Sequence, residues 1–356
     1  MSGLVLNGRF LSQAVTGVQR VAHEVMRAAD ALAAEGAWPA TRVLAPPGTT
    51  LPVCAGLTTG ATGRLRGQAW EQIDLPRALG SDWLLSLGNT APLAARGHQT
   101  VVIHDAGAFD TPESYGFAFR TWYRMLHRRL ARMGARIVTV SSFSRGRLAD
   151  RLGIDAARIA VMPEGAEHIL RAAADTSVLA RNGLATGSYV LAVGTGAAHK
   201  NLAALGAASS MLAARGLVLA VAGRADPAVF RGAGGAAGAV ALGRVSDAEL
   251  RALYENAAAL LFPSRYEGFG LPPIEAMACG CPVVAGHAGA VPETVGDAAL
   301  LFDPDTPASL AESLARLLDA PDLAADLRAR GQARASRYTW RAAAEALRDT
   351  LPGELR

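Results

Sequence analysis

Ser264-Arg265-Tyr266-Glu267-Gly268-Phe269-Gly270-Leu271-Pro272-Pro273-Ile274-Glu275-Ala276-Met277-Ala278-Cys279-Gly280-Cys281 follows a short apolar run, 257–263, that reads as a buried strand. Gly268 and Gly270 allow a tight backbone turn. Pro272 and Pro273 suit the opening of a helix, where a missing N–H costs nothing. This predicts Glu267 in the turn and Glu275 in the first turn of the helix. A helix N-terminus entered through glycines draws anions, phosphate above all. A carboxylate on either side of such a site can accept hydrogen bonds from the hydroxyls of something phosphate-linked, and sugar hydroxyls fit that description. Two glutamates alone would serve equally as a helix-start acid and a solvated loop charge.

The residues around them decide between those readings. Glu267 and Glu275 with the seven residues between them, followed by Gly280, Cys281, Pro282, Val283, Val284, Gly289, Pro292 and Glu293, resemble the paired-glutamate motif of the retaining GT-B glycosyltransferases, the large family 4 in particular. The resemblance implies an α/β chain of two Rossmann-like doubly wound domains facing a deep interdomain cleft, with a C-terminal helix that crosses back. It also implies transfer of a hexose from a nucleotide-diphosphate sugar to a hydroxyl acceptor, with no metal and no resident cofactor. Glu267 would hold the sugar hydroxyls and Glu275 the ribose, while Gly268, Phe269, Gly270 and Leu271 would lie along the donor.

Composition agrees with this class. A chain of 356 residues is long for one core and suggests two domains. With 51% hydrophobic and 19% charged residues it is globular, not disordered. No apolar run is long enough to span a membrane and no signal-peptide pattern opens the sequence, so a cytoplasmic protein is expected. The net charge of +4 permits an anionic partner without calling for nucleic acid. Cys54, Cys279 and Cys281 lack metal-ligand spacing and read as reduced, packing thiols.

Along the chain, 3–7 reads as a first strand and 18–34 as its helix, with Gly17 at the junction where a doubly wound sheet admits a ligand. By resemblance Gly17 lies against the donor diphosphate. Strands are expected at 83–87 and 100–103, the second ending in His104-Asp105. His104 resembles the family histidine that faces the donor sugar; Asp105 either orients its ring or caps the next turn. Arg120, Arg124, Arg128, Arg132 and Arg136 recur every four residues beside Trp122, Tyr123, Leu126, Leu130 and Met133. That pattern fits a 119–136 helix docked on the inner membrane face or holding an acceptor phosphate, and equally a solvated face whose arginine stems cover the core. Strands at 137–140 and 159–162 complete a domain over 1–168, with a linker at 169–187.

A second domain over 188–335 opens with a strand at 189–193 and the loop Gly194-Thr195-Gly196-Ala197-Ala198-His199-Lys200-Asn201. Its Gly-x-Gly lacks the third glycine and the downstream acid of a nicotinamide fingerprint, which argues against that cofactor. The loop resembles the family segment whose lysine grips the donor phosphates, so Lys200 is expected to neutralise charge on a departing diphosphate. Strands follow at 217–222, ending in Gly223-Arg224, and at 240–242; by resemblance Val245 borders the nucleobase through its backbone. Asp303-Pro304-Asp305 has a metal-binding spacing but reads as turn and cap chemistry. A final helix, 336–356, returns to the first domain. Asn7-Gly8-Arg9-Phe10 and 16–20 look like bacterial surface-polysaccharide mannosyl and rhamnosyl transferases. They point to GDP-mannose or a GDP-deoxyhexose ahead of UDP-sugars, and to a glycan or polyprenyl-diphosphate-linked acceptor. A nucleotide-sugar epimerase and a non-catalytic binding relic share the expected architecture.

Overall fold

The computed structural model describes residues 3–95, 97–223 and 239–355; Arg224 lies outside them. The chain divides into two compact units, one formed by residues 1–165 with 339–356 and the other by 166–338. Each is built on one parallel sheet.

In the first unit β1 (Leu4–Asn7), β2 (Thr41–Ala45), β3 (Thr58–Ala61), β4 (Trp83–Ser86), β5 (Gln99–Val102), β6 (Arg136–Thr139) and β7 (Ile159–Val161) line up in the order β3-β2-β1-β4-β5-β6-β7. Such strands read as unbroken apolar runs, not alternating ones, because helices cover both faces of a parallel sheet. Val101, Val102 and Ile103 accordingly have no exposed surface. The sheet reverses direction between β1 and β4: one neighbour of β1 is reached by way of the Gly17–Ala34 helix, and the other only after β3. Such a switch point opens a crevice at the carboxyl ends of its two central strands.

The second unit repeats the plan with β8 (Tyr189–Val193), β9 (Val218–Ala222), β10 (Val240–Gly243), β11 (Ala259–Phe262), β12 (Val283–Gly286) and β13 (Leu300–Phe302), ordered β10-β9-β8-β11-β12-β13. Its switch point lies between β8 and β11, the two strands that precede the Gly194–Asn201 loop and the Glu267 turn. Sheet order therefore brings together two motifs more than sixty residues apart in sequence.

Residues 169–187, expected as a linker, belong to the second unit. Within them the short Ser177–Arg181 helix buries Val178 and Leu179. Asp175 N–H donates to the Ala248 carbonyl at 2.9 Å, and Arg251 reaches the carbonyls of Leu170 and Ala172. These contacts consume the backbone groups that a free linker would leave to solvent. The last helix, Trp340–Arg348, packs in the first unit against Gly17–Ala34. Thr339 caps it through Ala342 N–H at 3.1 Å, while Arg341 pairs with Glu35 at 2.7 Å and Arg348 donates to the Ala37 carbonyl at 2.9 Å.

The basic helix spans Phe117–Arg132. Its first arginines are structural: Arg124 donates to the carbonyls of Ala108 (2.7 Å) and Phe109 (3.3 Å), and Arg120 to that of Pro112. Arg136, beyond the helix end, donates to the Thr350 carbonyl. Arg128, Arg129 and Arg132 remain exposed on the face that also carries Phe117, Thr121 and Met125.

His127, on the opposite face, is buried, and its Nε2 lies 2.8 Å from the Asn89 carbonyl, which fixes the proton there. Burial pushes its pKa down to about 4, against the weaker pull of that carbonyl. The folded chain thus holds His127 neutral where the unfolded chain protonates it. Its stabilising effect is complete above pH 6.5, falls as pH drops, and amounts to about 3 kcal/mol lost by pH 4. Urea unfolding at pH 7 and pH 5 should show a steep acid loss in the wild type and a shallower one in His127→Gln; equal slopes would contradict the assignment.

Candidate active site

The Leu271–Ala278 helix is entered through Gly270, whose φ of 100° only glycine adopts without strain, so the turn that follows β11 feeds directly into the helix. It starts one residue before the prolines, which makes Glu275 its fifth residue, in the second turn and not the first. Pro272 and Pro273 offer no N–H, so the anion-attracting character of this end rests on the axial dipole and the turn backbone before it.

Glu267 is clamped through its main chain. Ala290 N–H donates to the Glu267 carbonyl at 3.0 Å, and Gly289, at φ 60°, packs so closely that a Cβ there would lie 2.6 Å from Glu267 N. Thr294 Oγ donates to the Phe269 carbonyl at 2.6 Å and fixes the far side of the turn. Gly268, Phe269 and Gly270 are buried, and Leu271 half-buried.

Lys200 arrives from the β8 side. Asn201, one of two non-glycine residues at positive φ among those described, turns the loop back and donates from Nδ2 to the carbonyls of Pro263 and Pro304, both at 3.1 Å. Arg265 N–H donates to the His199 carbonyl at 2.8 Å. With the loop pinned at both ends, Lys200 Nζ lies 2.7 Å from Glu267 Oε1 and over the Phe262 ring. Lys200 and Glu267 are thus brought together with side chains 20% and 11% exposed, sheltered but open to a ligand.

Glu275 is buried, and neither partner of its carboxylate is legible in the sequence. His168 Nε2 lies 2.8 Å from Oε1, and Tyr254 donates to Oε2 at 3.2 Å. Burial first, and then the Glu275 charge, hold the Tyr254 phenol well above its ordinary pKa, so it stays a donor. Val245 is half-buried in the connection between β10 and the Asp247–Asn256 helix, which Ser246 and Glu249 cap reciprocally. Burial raises the Cys281 thiol to about 12 and raises that of Cys279 as well.

Gly17 and His104 belong to the first unit. Gly17 is the first residue of its helix, with open space where a Cβ would stand. His104 is 5% exposed; Nδ1 lies 3.3 Å from Glu164 Oε1 and Nε2 3.0 Å from the Leu87 carbonyl. Two acceptors call for N–H on both nitrogens. Burial opposes that charge most strongly of any single influence, but Glu164, the Leu87 carbonyl and the Asp105 charge together raise the pKa. Asp105 is a turn residue, accepting Gly107 N–H at 2.6 Å, while Glu164 holds the ring.

Asp303 accepts from Asp305 N–H and the Thr306 hydroxyl within its own turn, and Asp305 pairs with Arg265, forty residues away, at 2.6 Å. Among the described residues no group of three or more His, Cys, Asp or Glu is placed to hold a metal. No described helix is long and apolar enough to cross a membrane.

Comparison with known proteins places this geometry. The family description "Glycosyl transferases group 1" matches residues 180–334. The chain is 34% identical over 251 residues to O-antigen chain mannosyltransferase B of Escherichia coli, an alignment covering 67% of this chain and 65% of that protein. It is 28% identical over 290 residues to O-antigen chain mannosyltransferase RfbU of Salmonella typhimurium, covering 74% of each. Among solved structures it resembles WaaG, a glycosyltransferase involved in lipopolysaccharide biosynthesis, with a TM-score of 0.70 at 17% identity over 99% of this chain and 100% of that one. The fold is GT-B, and the segment that matches the group 1 glycosyl transferases carries Lys200, Glu267 and Glu275.

Proposed function

We propose that the protein is a retaining hexosyltransferase of bacterial surface-polysaccharide synthesis. In this reading it moves mannose or a deoxyhexose from a nucleotide diphosphate, GDP ahead of UDP, to a hydroxyl of a glycan or polyprenyl-diphosphate-linked acceptor. The observation that carries the reading is the 2.7 Å approach of Lys200 Nζ to Glu267 Oε1 beside the Leu271–Ala278 helix start. A cation for pyrophosphate and an acceptor for sugar hydroxyls lie one hydrogen bond apart, as a ligand carrying both groups requires. The mannosyl transfer named for the Escherichia coli and Salmonella relatives supports the choice of sugar.

As the bond from the anomeric carbon to the phosphate oxygen breaks, negative charge grows on the departing diphosphate. Lys200, turning from Glu267 towards the phosphates, and the helix dipole meet it, which is the task a divalent ion performs elsewhere, so the reading has no metal step. The acceptor oxygen bonds to the same face of the carbon, and its proton passes to the departing phosphate. Glu275, held by His168 and Tyr254, is the ribose contact.

Incubating a donor panel with and without glycan acceptors tests the reading. We expect sugar transfer only with acceptor, and an unchanged anomeric configuration. Epimerised donor without acceptor, or binding without turnover, would contradict it.

The exposed Phe117, Met125, Arg128, Arg129 and Arg132 suit docking on the anionic cytoplasmic face of a membrane. Flotation with liposomes should rise with anionic lipid in the wild type and fall in Phe117→Ser; flotation insensitive to lipid charge would exclude docking.

A further inference from the structure

Of the 35 lysines and arginines in the chain, Lys200 alone is a lysine. The arginines show what a guanidinium would bring to its place. Arg147 on Asp110, Arg215 on Asp319 and Arg341 on Glu35 each give two nitrogens to the two oxygens of one carboxylate, at 2.7 to 3.2 Å. Such a planar fork is strong and fixes its partner in one geometry. Lys200 instead makes a single contact, Nζ to Glu267 Oε1 at 2.7 Å. An ammonium on a flexible stem is a point charge that can turn to another acceptor.

The surroundings hold the backbone still and leave that turn to the side chain. Asn201 and the Arg265 N–H fix the loop on either side of Lys200, so only its stem need rotate. Phe262, buried at the end of β11, has its ring centre 5.7 Å from Nζ and attracts the cation without competing for its hydrogen bonds. Glu267 cannot follow a departing ammonium, because Gly289 and Ala290 clamp its main chain. An ion pair open to water stabilises its closed state by only about two- to fivefold, so a ligand can compete for the cation.

Two ligands of the transferase differ in what they offer this pair. A nucleotide sugar brings phosphate for the ammonium and hydroxyls for the carboxylate, so both charges keep a partner when they separate. A nucleoside diphosphate brings phosphate alone. It leaves a carboxylate that is 11% exposed without its counter-ion and beside a further negative charge, which weakens binding.

We propose that the Lys200–Glu267 pair is an exchangeable latch that tells the loaded donor from the diphosphate left after transfer. It opens fully only for a ligand that answers both charges, and it closes again to favour release of the diphosphate once the sugar has gone. The latch rests on the transferase reading above.

Titration calorimetry on the full chain with GDP, GDP-mannose, UDP and UDP-glucose tests it, with ligand-observed NMR for weak binding and circular dichroism to check each variant's fold. In Glu267→Gln, which has no charge to abandon, the diphosphate should bind about fivefold tighter than in the wild type. The matching nucleotide sugar, which loses its carboxylate partner, should gain nothing. Placed on Lys200→Ala, the same substitution should give the diphosphate no gain, since there is no ammonium to release. Lys200→Arg should fork onto Glu267 and bind diphosphate more weakly than the wild type, and adding Glu267→Gln should restore it. A gain that persists without Lys200 would show that Glu267 merely repels phosphate. That result, an equal gain for diphosphate and nucleotide sugar, or no gain at all, would overturn the latch and leave the transferase standing. Failure of every nucleotide to bind would remove the transferase reading and the latch with it.

Discussion

Lys200→Ala should reduce turnover by about 10² to 10³ while the protein stays folded, and Glu267→Gln should do the same. Removing one preorganised group that meets developing charge typically costs that much. The structure explains why folding should survive. Lys200 and Glu267 are partly exposed, and their turns are held by other atoms: Asn201 on the carbonyls of Pro263 and Pro304, and Ala290 on the Glu267 carbonyl. The two substitutions should differ in kind. Losing the ammonium should weaken donor binding as well as turnover. Glu267→Gln keeps size and one acceptor oxygen, so its loss should fall mainly on kcat. Steady-state kinetics with circular dichroism on each variant decides the matter, and near-normal turnover by both would remove the assignment.

His168→Ala should destabilise the second unit by about 3 kcal/mol, because a buried carboxylate that loses a hydrogen-bond partner is left with the cost of its own desolvation. His168 is 3% exposed and Glu275 6%, so water cannot take the missing place without rearrangement. Tyr254 alone would then hold the Glu275 side chain. In a double-mutant cycle with Glu275→Gln, the second substitution should cost much less in the His168→Ala background than in the wild type. Additive losses in urea unfolding would show that the contact carries no coupling.

The two cases show what the sequence reveals and what it hides. Strand runs such as 189–193 and the glycine turn before Leu271 are set by neighbouring residues, so their reading needs no partner. Glu267 and Glu275 are legible because the whole motif lies within one turn and one helix. His168 is 107 residues from Glu275, and Glu164 is 60 from His104. Nothing local marks either as a partner, since tertiary packing brings them there. The same holds for the stretch 169–187, whose polar composition suggests a linker although its backbone is bonded into the second unit. In the basic helix, a four-residue period locates the arginines but cannot show that Arg120 and Arg124 serve carbonyls while Arg128 and Arg132 face solvent.

A crystal structure with GDP-mannose bound tests the central claim most directly. The account predicts the pyrophosphate at the start of the Leu271–Ala278 helix within hydrogen-bond distance of Lys200 Nζ, the sugar hydroxyls on Glu267 and the ribose on Glu275. A nucleotide sugar bound elsewhere in the second unit, with Lys200 still paired to Glu267 and touching no ligand, would contradict it.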